Sequence, residues 1–255
     1  MCFDHDALPP DLPPELPHLA GGAAAEILEA SAADGTTLSV ALAPSGAATD
    51  PAVVIIPDVR GLYRFYIELA ERFAAAGHHA VAIDPFGRTA GTGVREGDWD
   101  YWPHVRATTP QSVQADVAAA IAVLHARTDA ARVVVVGFCY GGAHAFLAAT
   151  NADLPIDGVV GFYGALSGER LAMPSAKDAI ATAVHPVLAL FGGADEGIPE
   201  EQREVFGANL ERSSVPHEIV VYPGAPHSFF DRRQEEYADD SADAWRRVLR
   251  FLGGA

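Results

Sequence analysis

A single cysteine lies between an apolar run and a helical pattern in the segment Val133 to Phe146, VVVVGFCYGGAHAF. Around it, G-F-C-Y-G has the form G-x-nucleophile-x-G, in which a sharp turn exposes the central side chain and the glycines let strand and helix approach closely. The helix N-terminus would favour the thiolate of Cys139, and the Tyr140 N–H would be an oxyanion donor. The pattern predicts a nucleophile. The alternatives are a cysteine packed as a small hydrophobe and a phosphate loop, although no Walker or G-x-G-x-x-G pattern is present.

A nucleophile of this kind requires an acid and then a histidine later in the chain. Asp195 lies just past the strand-like PVLALFGG, where it would either orient a histidine or cap the next helix, and Glu196 is its close rival. His227 follows EIVVYPGAP, where the alternative is an exposed loop histidine. Because Cys139, Asp195 and His227 arrive in the required order, each at a strand exit, we interpret them as a catalytic triad.

Two further strand exits carry candidate site residues. AVVIIP runs into Asp58-Val59, and the Val59 N–H is the expected second oxyanion donor. The long loop after HAVAIDPF contains Trp99, Tyr101 and Trp102. These aromatic side chains either form a wall over the site or pack against the helix that begins at Pro110.

The elements that must position these residues follow an α/β pattern. AAEILEAS and TTLSVALAP predict two antiparallel strands joined at Asp34-Gly35. From Pro51 onward, short strands apolar on both faces alternate with helices, which predicts a doubly wound, mostly parallel sheet with helices on both faces. We expect residues 24–255 to form one domain after a Pro-rich extended segment, 1–23. The stretch from Gly164 to Val187 is too short for a large cap domain.

Composition narrows the partners and the compartment. The 255 residues include 34 acidic and 17 basic side chains, so the net charge of −17 disfavours nucleic acid and anionic membranes. Two cysteines are too few for a disulfide framework or a Cys-rich metal site, and His144 does not give zinc-ligand spacing after Cys139, so we expect no metal. Neither a secretory signal nor an apolar run of membrane-spanning length is present, which predicts a soluble cytoplasmic protein, monomeric or a small homo-oligomer.

These residues together resemble the dienelactone hydrolase family, the carboxymethylenebutenolidase-like branch of the α/β-hydrolases. The likeness runs from about Ala24 to Leu252, and its most specific parts are G-F-C-Y-G-G, G-x-x-D-x-x-I-P and P-x-x-x-H-S-F. It implies a cofactor-free α/β-hydrolase in which Cys139 is the nucleophile, His227 the base and Asp195 the orienting acid. In the best-known members, a glutamate at the position of Asp58 holds the resting thiol, so Asp58 is a candidate modulator with a side chain one methylene shorter.

The resemblance also implies arginines that bind a substrate carboxylate. One of them lies four residues after the histidine, where this chain has Asp231. Arg232 follows at once and is a candidate replacement, although it also fits a solvated residue leading into a helix. The other candidates lie in the long loop: Arg88, Arg95 and Arg106.

The predicted function is hydrolysis of small esters or lactones, including dienelactone-type ring opening of enol lactones, through a covalent acyl-enzyme. A general carboxylesterase or thioesterase would use the same residues. A redox-sensing thiol protein is an alternative, although the interior offers no resolving cysteine. A catalytically inactive binding protein is the other, although all three triad members are present.

Overall fold

One sheet of eight strands organises the part of the chain that the computed structural model describes, residues 7–16, 24–46 and 50–254. The strand order is β1-β2-β4-β3-β5-β6-β7-β8. The strands are β1 (Glu26–Ser31), β2 (Thr37–Ala43), β3 (Ala52–Ile56), β4 (Ala80–Ile83), β5 (Val133–Phe138), β6 (Gly158–Phe162), β7 (Val187–Gly192) and β8 (His217–Tyr222).

Helices connect these strands. They are α1 (Arg64–Ala75), α2 (Gly87–Ala90), α3 (Trp102–Ala107), α4 (Pro110–Arg127), α5 (Tyr140–Ala148), α6 (Ala176–Ala179), α7 (Glu200–Ser213) and α8 (Ala238–Gly254). Short 3₁₀ turns at Glu169–Leu171 and Ile180–Thr182 flank α6. Only these short elements lie between β6 and β7, so no large cap domain is inserted there.

The pairing pattern confirms the predicted α/β-hydrolase fold. β1 and β2 are antiparallel to each other and β2 is antiparallel to β4, whereas all the pairs from β4 to β8 are parallel. Every residue of β3, β4, β5, β6 and β7 is buried, as expected for central strands covered on both faces. The β1–β2 turn lies at Asp34-Gly35, where Gly35 has a φ of 82° and the Asp34 carboxylate accepts the Thr36 N–H at 3.0 Å.

Helices cover both faces of the sheet. α1 contacts α8 through Phe73 and Trp245, whose ring centroids lie 4.9 Å apart, and α5 contacts α7 through Phe146 and Phe206 at 4.8 Å. The helical patterns in the sequence predict one helix from Gly142 and a last helix from Ser241, and both helices begin earlier in the structure. α5 begins at Tyr140 rather than at Gly142, because the turn at Cys139 leads directly into the helix, and α8 begins at Ala238 rather than at Ser241.

The described part of the Pro-rich lead-in, residues 7–16, packs on α1 and α8. The Pro10 carbonyl accepts the Trp245 indole N–H at 3.2 Å, and Asp11 pairs with Arg72 at 2.9 Å. Residues 1–6 and 17–23 lie outside the described part, so the predicted division at residue 24 stays a prediction. No helix in the described ranges combines the length and apolar character needed to cross a membrane.

Candidate active site

The turn between β5 and α5 has the geometry expected of a nucleophile elbow. Cys139 has φ 54° and ψ −109°, a region that costs a non-glycine residue about 1–3 kcal/mol. A Cβ on Gly137 would collide with the Gly141 carbonyl, and one on Gly141 would collide with the carbonyls of Ile56 and Pro57. The flanking glycines are therefore required by backbone contact. The Cys139 N–H donates to the Phe162 carbonyl at 3.0 Å, which helps to hold the strained turn.

Asp195 and His227 meet beside this turn. The His227 Nδ1 lies 2.7 Å from Asp195 Oδ2, and the Gly197 N–H donates to Asp195 Oδ1 at 2.9 Å. The Asp195 side chain is 2% exposed and that of His227 is 27% exposed. A buried carboxylate that accepts the Nδ1 proton fixes the tautomer, which leaves Nε2 for the sulfur. Cys139, Asp195 and His227 are together called the candidate triad below.

The charges of the candidate triad favour a protonated histidine. Burial would lower the pKa of His227, but the charge of the Cys139 sulfur and hydrogen bonds with Asp195 and Cys139 raise that pKa well above its usual value. An imidazolium and a thiolate in contact stabilise each other. The geometry is therefore compatible with a resting ion pair of Cys139 and His227.

The two candidate oxyanion donors come from adjacent strand exits. Val59 follows β3 and is buried, and Tyr140 is the first residue of α5. The contact of Gly141 with the carbonyls of Ile56 and Pro57 brings the β3 exit against the elbow. This proximity supports the predicted pairing of the Val59 and Tyr140 N–H groups. The Tyr140 hydroxyl points away to Thr108, to which it donates at 2.9 Å.

Asp58 contacts an arginine and belongs to a second group of buried charges. Arg60 Nε lies 3.1 and 3.0 Å from the two Asp58 carboxylate oxygens, and Arg60 Nη2 lies 2.6 Å from Asp58 Oδ2. The same Nη2 donates to Asp231 Oδ2 at 2.9 Å. All three side chains are at most 4% exposed. Asp58, Arg60 and Asp231 are called the ion cluster below.

The pKa values of Arg60 and Asp231 depend on the balance between burial and the neighbouring charges of the ion cluster. Burial would lower the pKa of Arg60, but Asp58 and other negative groups outweigh it and raise that pKa, so the guanidinium stays charged. Burial raises the pKa of Asp231 to about 6, because the opposing effect of Arg60 is incomplete and Asp58 adds repulsion. Above this pH, the ion cluster holds two carboxylates and one guanidinium.

Tyr163, at the exit of β6, contacts the candidate triad and interacts electrostatically with the ion cluster. Its ring lies 5.0 Å from the His227 ring, and its hydroxyl feels the charges of Asp231, Asp58 and Cys139. The backbone φ of 38° is unusual for a tyrosine. The hydroxyl is buried and has no hydrogen-bond partner among the residues that the structure describes.

Two of the long-loop arginines predicted to bind substrate, Arg88 and Arg95, make ion pairs within the chain. Arg88 bonds to Asp34 at 2.9 Å and to the buried Asp116 at 2.5 Å. Arg95 pairs with the buried Asp84 and lies 5.2 Å over the Trp99 ring. These contacts anchor the loop. A role in substrate binding stays a prediction for both, as it does for Arg232, whose backbone N–H donates to Asp231.

The aromatic residues of the loop form a layer. The Tyr101 and Trp102 ring centroids lie 5.2 Å apart, and the guanidinium groups of Arg106 and Arg170 lie 5.6 and 5.4 Å from the Trp102 ring centroid. Trp102 follows β4 and Arg170 follows β6, and the strand order places β3 and β5 between them. The Trp102–Arg170 contact therefore spans the strands whose exits carry Asp58 and Cys139. Trp99 packs against Phe86, with the two ring centroids 5.7 Å apart.

Sequence reasoning assigned no role to Arg60 or Tyr163. Both lie at strand exits, after β3 and β6, and this position is the signal that could have identified them. In the described part of the chain, no group of three or more His, Cys, Asp or Glu side chains is placed to hold a metal ion.

Comparison with known proteins finds one matching family model and several relatives of similar length. The model of the dienelactone hydrolase family matches residues 38–255. The Escherichia coli (strain K12) protein named "Putative carboxymethylenebutenolidase" is 32% identical over 216 residues, 79% of this chain and 76% of that protein. A Bradyrhizobium sp protein named "Probable 2-oxo-3-(5-oxofuran-2-ylidene)propanoate lactonase" is 28% identical over 208 residues, 79% of this chain and 83% of that protein.

A solved structure extends this comparison to the fold. The crystal structure of "Putative Dienelactone Hydrolase" from Klebsiella pneumoniae subsp. pneumoniae MGH 78578 superposes with a TM-score of 0.77 at 25% identity. The superposition covers 91% of this chain and 100% of that one.

Proposed function

Because the chain belongs to the dienelactone hydrolase family, whose hydrolases act on lactone and ester bonds, we propose that it is a cysteine hydrolase of small esters or lactones. One observation carries the choice of residues: the Asp195–His227 pair lies beside a cysteine held at positive φ. That arrangement provides a nucleophile, a proton carrier and a group that orients the carrier.

The first half-reaction forms a thioester. The Cys139 sulfur attacks the carbonyl carbon, and the carbonyl oxygen takes the negative charge and accepts hydrogen bonds from the Val59 and Tyr140 N–H groups. When the tetrahedral intermediate collapses, the bond from carbon to the leaving oxygen breaks. Protonated His227 gives its Nε2 proton to that oxygen, which leaves as an alcohol or enol. For a lactone, the leaving oxygen stays attached to the acyl group and the ring opens.

The second half-reaction releases the acid. Neutral His227 takes a proton from water, and the resulting hydroxide attacks the thioester carbon. The carbon–sulfur bond breaks, the acid leaves, and the thiolate and imidazolium of the resting state are restored. Asp195 keeps Nδ1 protonated throughout, so Nε2 is always the atom that exchanges the proton.

Turnover of two substrates tests this proposal. Wild type, Cys139→Ala and His227→Ala are assayed with p-nitrophenyl acetate and with a dienelactone. We expect the wild type to cleave at least one of them and both variants to lose about 10³-fold or more in kcat. Lack of turnover with both substrates, together with a thiol of ordinary reactivity, would contradict the hydrolase proposal. Turnover of the simple ester alone would favour a general carboxylesterase with the same mechanism.

A further inference from the structure

The ion cluster and Tyr163 form a charged wall beside the proposed nucleophile. We infer that this wall is a specificity determinant that selects uncharged esters and lactones and rejects substrates that carry a carboxylate near the scissile bond. This inference rests on the proposed hydrolase function and deepens it by naming the substrate class.

The charge of the ion cluster already opposes an anionic substrate. Two carboxylates contact one guanidinium, so the ion cluster is net negative when both acids are ionised. The Arg60 side chain is 4% exposed. Its guanidinium also lies over the rings of Tyr63, at 5.5 Å, and Tyr66, at 5.8 Å. Because all three side chains are at most 4% exposed, a substrate carboxylate experiences the net negative charge of the ion cluster without gaining a bidentate pair with Arg60.

The ion cluster is close enough to the reacting atoms to act on them. Asp58 immediately precedes Val59, the proposed oxyanion donor. Asp231 lies one turn after His227 and affects it electrostatically. In this buried setting, charges interact more strongly than in water. A negative group brought to Cys139 is therefore repelled before any bond changes.

Tyr163 supplies the complementary attraction. Its buried hydroxyl, which has no partner in the described ranges, lies among Asp58, Asp231 and Cys139. Burial raises the pKa of Tyr163 well above its usual value, and these negative neighbours raise it further, so the group remains a neutral donor. It can donate to the carbonyl or ring oxygen of an uncharged acyl group. Such a donor can stabilise a bound uncharged acyl group, but it supplies no positive charge to pair with a substrate carboxylate.

The arginines that pair with or contact the long loop do not supply a cation inside the wall. Arg88 and Arg95 are held by buried acids in the loop, Asp116 and Asp84. The exposed guanidinium groups that contact Trp102 belong to Arg106 and Arg170, and they lie outside the buried wall.

A matched pair of esters tests the inference: p-nitrophenyl hexanoate, and mono-p-nitrophenyl adipate, in which the terminal methyl is replaced by a carboxylate. The measured quantity is the ratio of kcat/KM for the neutral ester to that for the anionic ester, after subtraction of spontaneous hydrolysis. We expect the wild-type ratio to be at least about 10. Asp231→Asn should lower this ratio about tenfold, or about 1.4 kcal/mol, whereas Asp157→Asn, an ion-paired acid at the start of β6, should not change it.

The pH dependence of the wild type tests the same inference without a variant. Because the pKa of Asp231 is about 6, the acid loses its charge below that pH, and the ratio should fall between about pH 8 and about pH 5.5. The described groups that act on Asp231 are Arg60, Asp58, His227, Tyr66 and Tyr163, together with the backbone N–H of Arg232, which donates to its carboxylate. The pKa of His227 is raised well above its usual value, so His227 keeps its charge while Asp231 loses its own.

The outcomes separate the inference from the proposed function. If the wild type cleaves the anionic ester as well as the neutral one, or if folded Asp231→Asn keeps the wild-type ratio, the inference is wrong and the hydrolase proposal stands. If neither ester is cleaved by a wild type whose fold is verified by circular dichroism, both fail.

Discussion

The candidate triad and the ion cluster each combine acids with a cationic group, but they differ in exposure and in chemistry. In the candidate triad, the His227 side chain is 27% exposed and contacts a half-buried cysteine. In the ion cluster, no side chain exceeds 4% exposure. Histidine can release its proton near neutral pH, whereas arginine cannot. The candidate triad can move protons at the reacting atoms, whereas the ion cluster can act on a substrate only through its charge, which is why we assign chemistry to the first and selectivity to the second.

The largest expected contrast is between two buried aspartates. Asp195→Asn should lower kcat about 10³- to 10⁴-fold, because an amide cannot hold the Nδ1–H tautomer of His227. Asp231→Asn should lower kcat for a neutral ester less than about tenfold, because this acid contacts Arg60. Steady-state kinetics with p-nitrophenyl hexanoate checks both values. Similar decreases in kcat for the two folded variants would contradict the assignment of different roles to the candidate triad and the ion cluster.

The free energy of unfolding should depend strongly on the buried cation of the ion cluster and little on an exposed arginine. Arg60→Met leaves two buried carboxylates without their cation and should reduce the free energy of unfolding by about 3–5 kcal/mol. Arg64→Met removes the exposed pair with Glu68 and should cost less than about 1 kcal/mol. Urea unfolding followed by circular dichroism measures both. Equal stability of the two variants would mean that the ion cluster is not held together by Arg60.

Titration of His227 tests the charge balance inside the candidate triad. In the wild type, the sulfur and Asp195 outweigh burial and raise the pKa of His227, so the imidazole should be protonated at neutral pH. In Cys139→Ala, the sulfur is absent and burial is opposed only by the remaining acids, Asp195 and Asp231, so this pKa should fall. NMR of ¹³C- and ¹⁵N-labelled histidine follows the titration, with assignment by His227→Gln. The same titration in both proteins would contradict a resting ion pair.

The smallest effect is expected at the aromatic layer. Trp102→Ala removes the contact with Arg170 that spans β3 and β5, and it should raise KM for aryl esters about three- to tenfold with little change in kcat. Arg250→Ala, at an exposed position on α8, is the control. A fall in kcat with constant KM would indicate that Trp102 acts on the reacting atoms and not on binding.

Local patterns in the sequence predict the fold, and they predict that Cys139, Asp195 and His227 each lie at the end of a strand. The glycines around Cys139 are dictated by backbone collisions within a few residues of the turn and at the neighbouring β3 exit. Alternating strands and helices place Asp195 and His227 at the same edge of the sheet as Cys139, because parallel strands end together. These features depend on strand direction and turn geometry, which local residue types determine.

The ion cluster could not be predicted in the same way. Arg60 and Asp231 are separated by 171 residues and meet only because β3 and the loop after β8 converge. The sequence shows an acid at position 231, where the resemblance implies an arginine, but it does not show that Arg60 lies between this acid and Asp58. The pairing of Arg88 with Asp116 is equally long-range, across 28 residues. Ion pairs of this kind depend on tertiary packing rather than on a local pattern.

The most direct test of the account is to look for the thioester on Cys139. The wild type is mixed with p-nitrophenyl acetate, quenched in acid within the first turnovers, and analysed by intact-mass and peptide mass spectrometry. We predict a burst of p-nitrophenol close to one equivalent per chain and one acetyl group on the peptide containing Cys139, with neither signal in Cys139→Ala. Rapid turnover without a burst and without any acylated Cys139, or an equal burst in Cys139→Ala, would contradict the covalent mechanism.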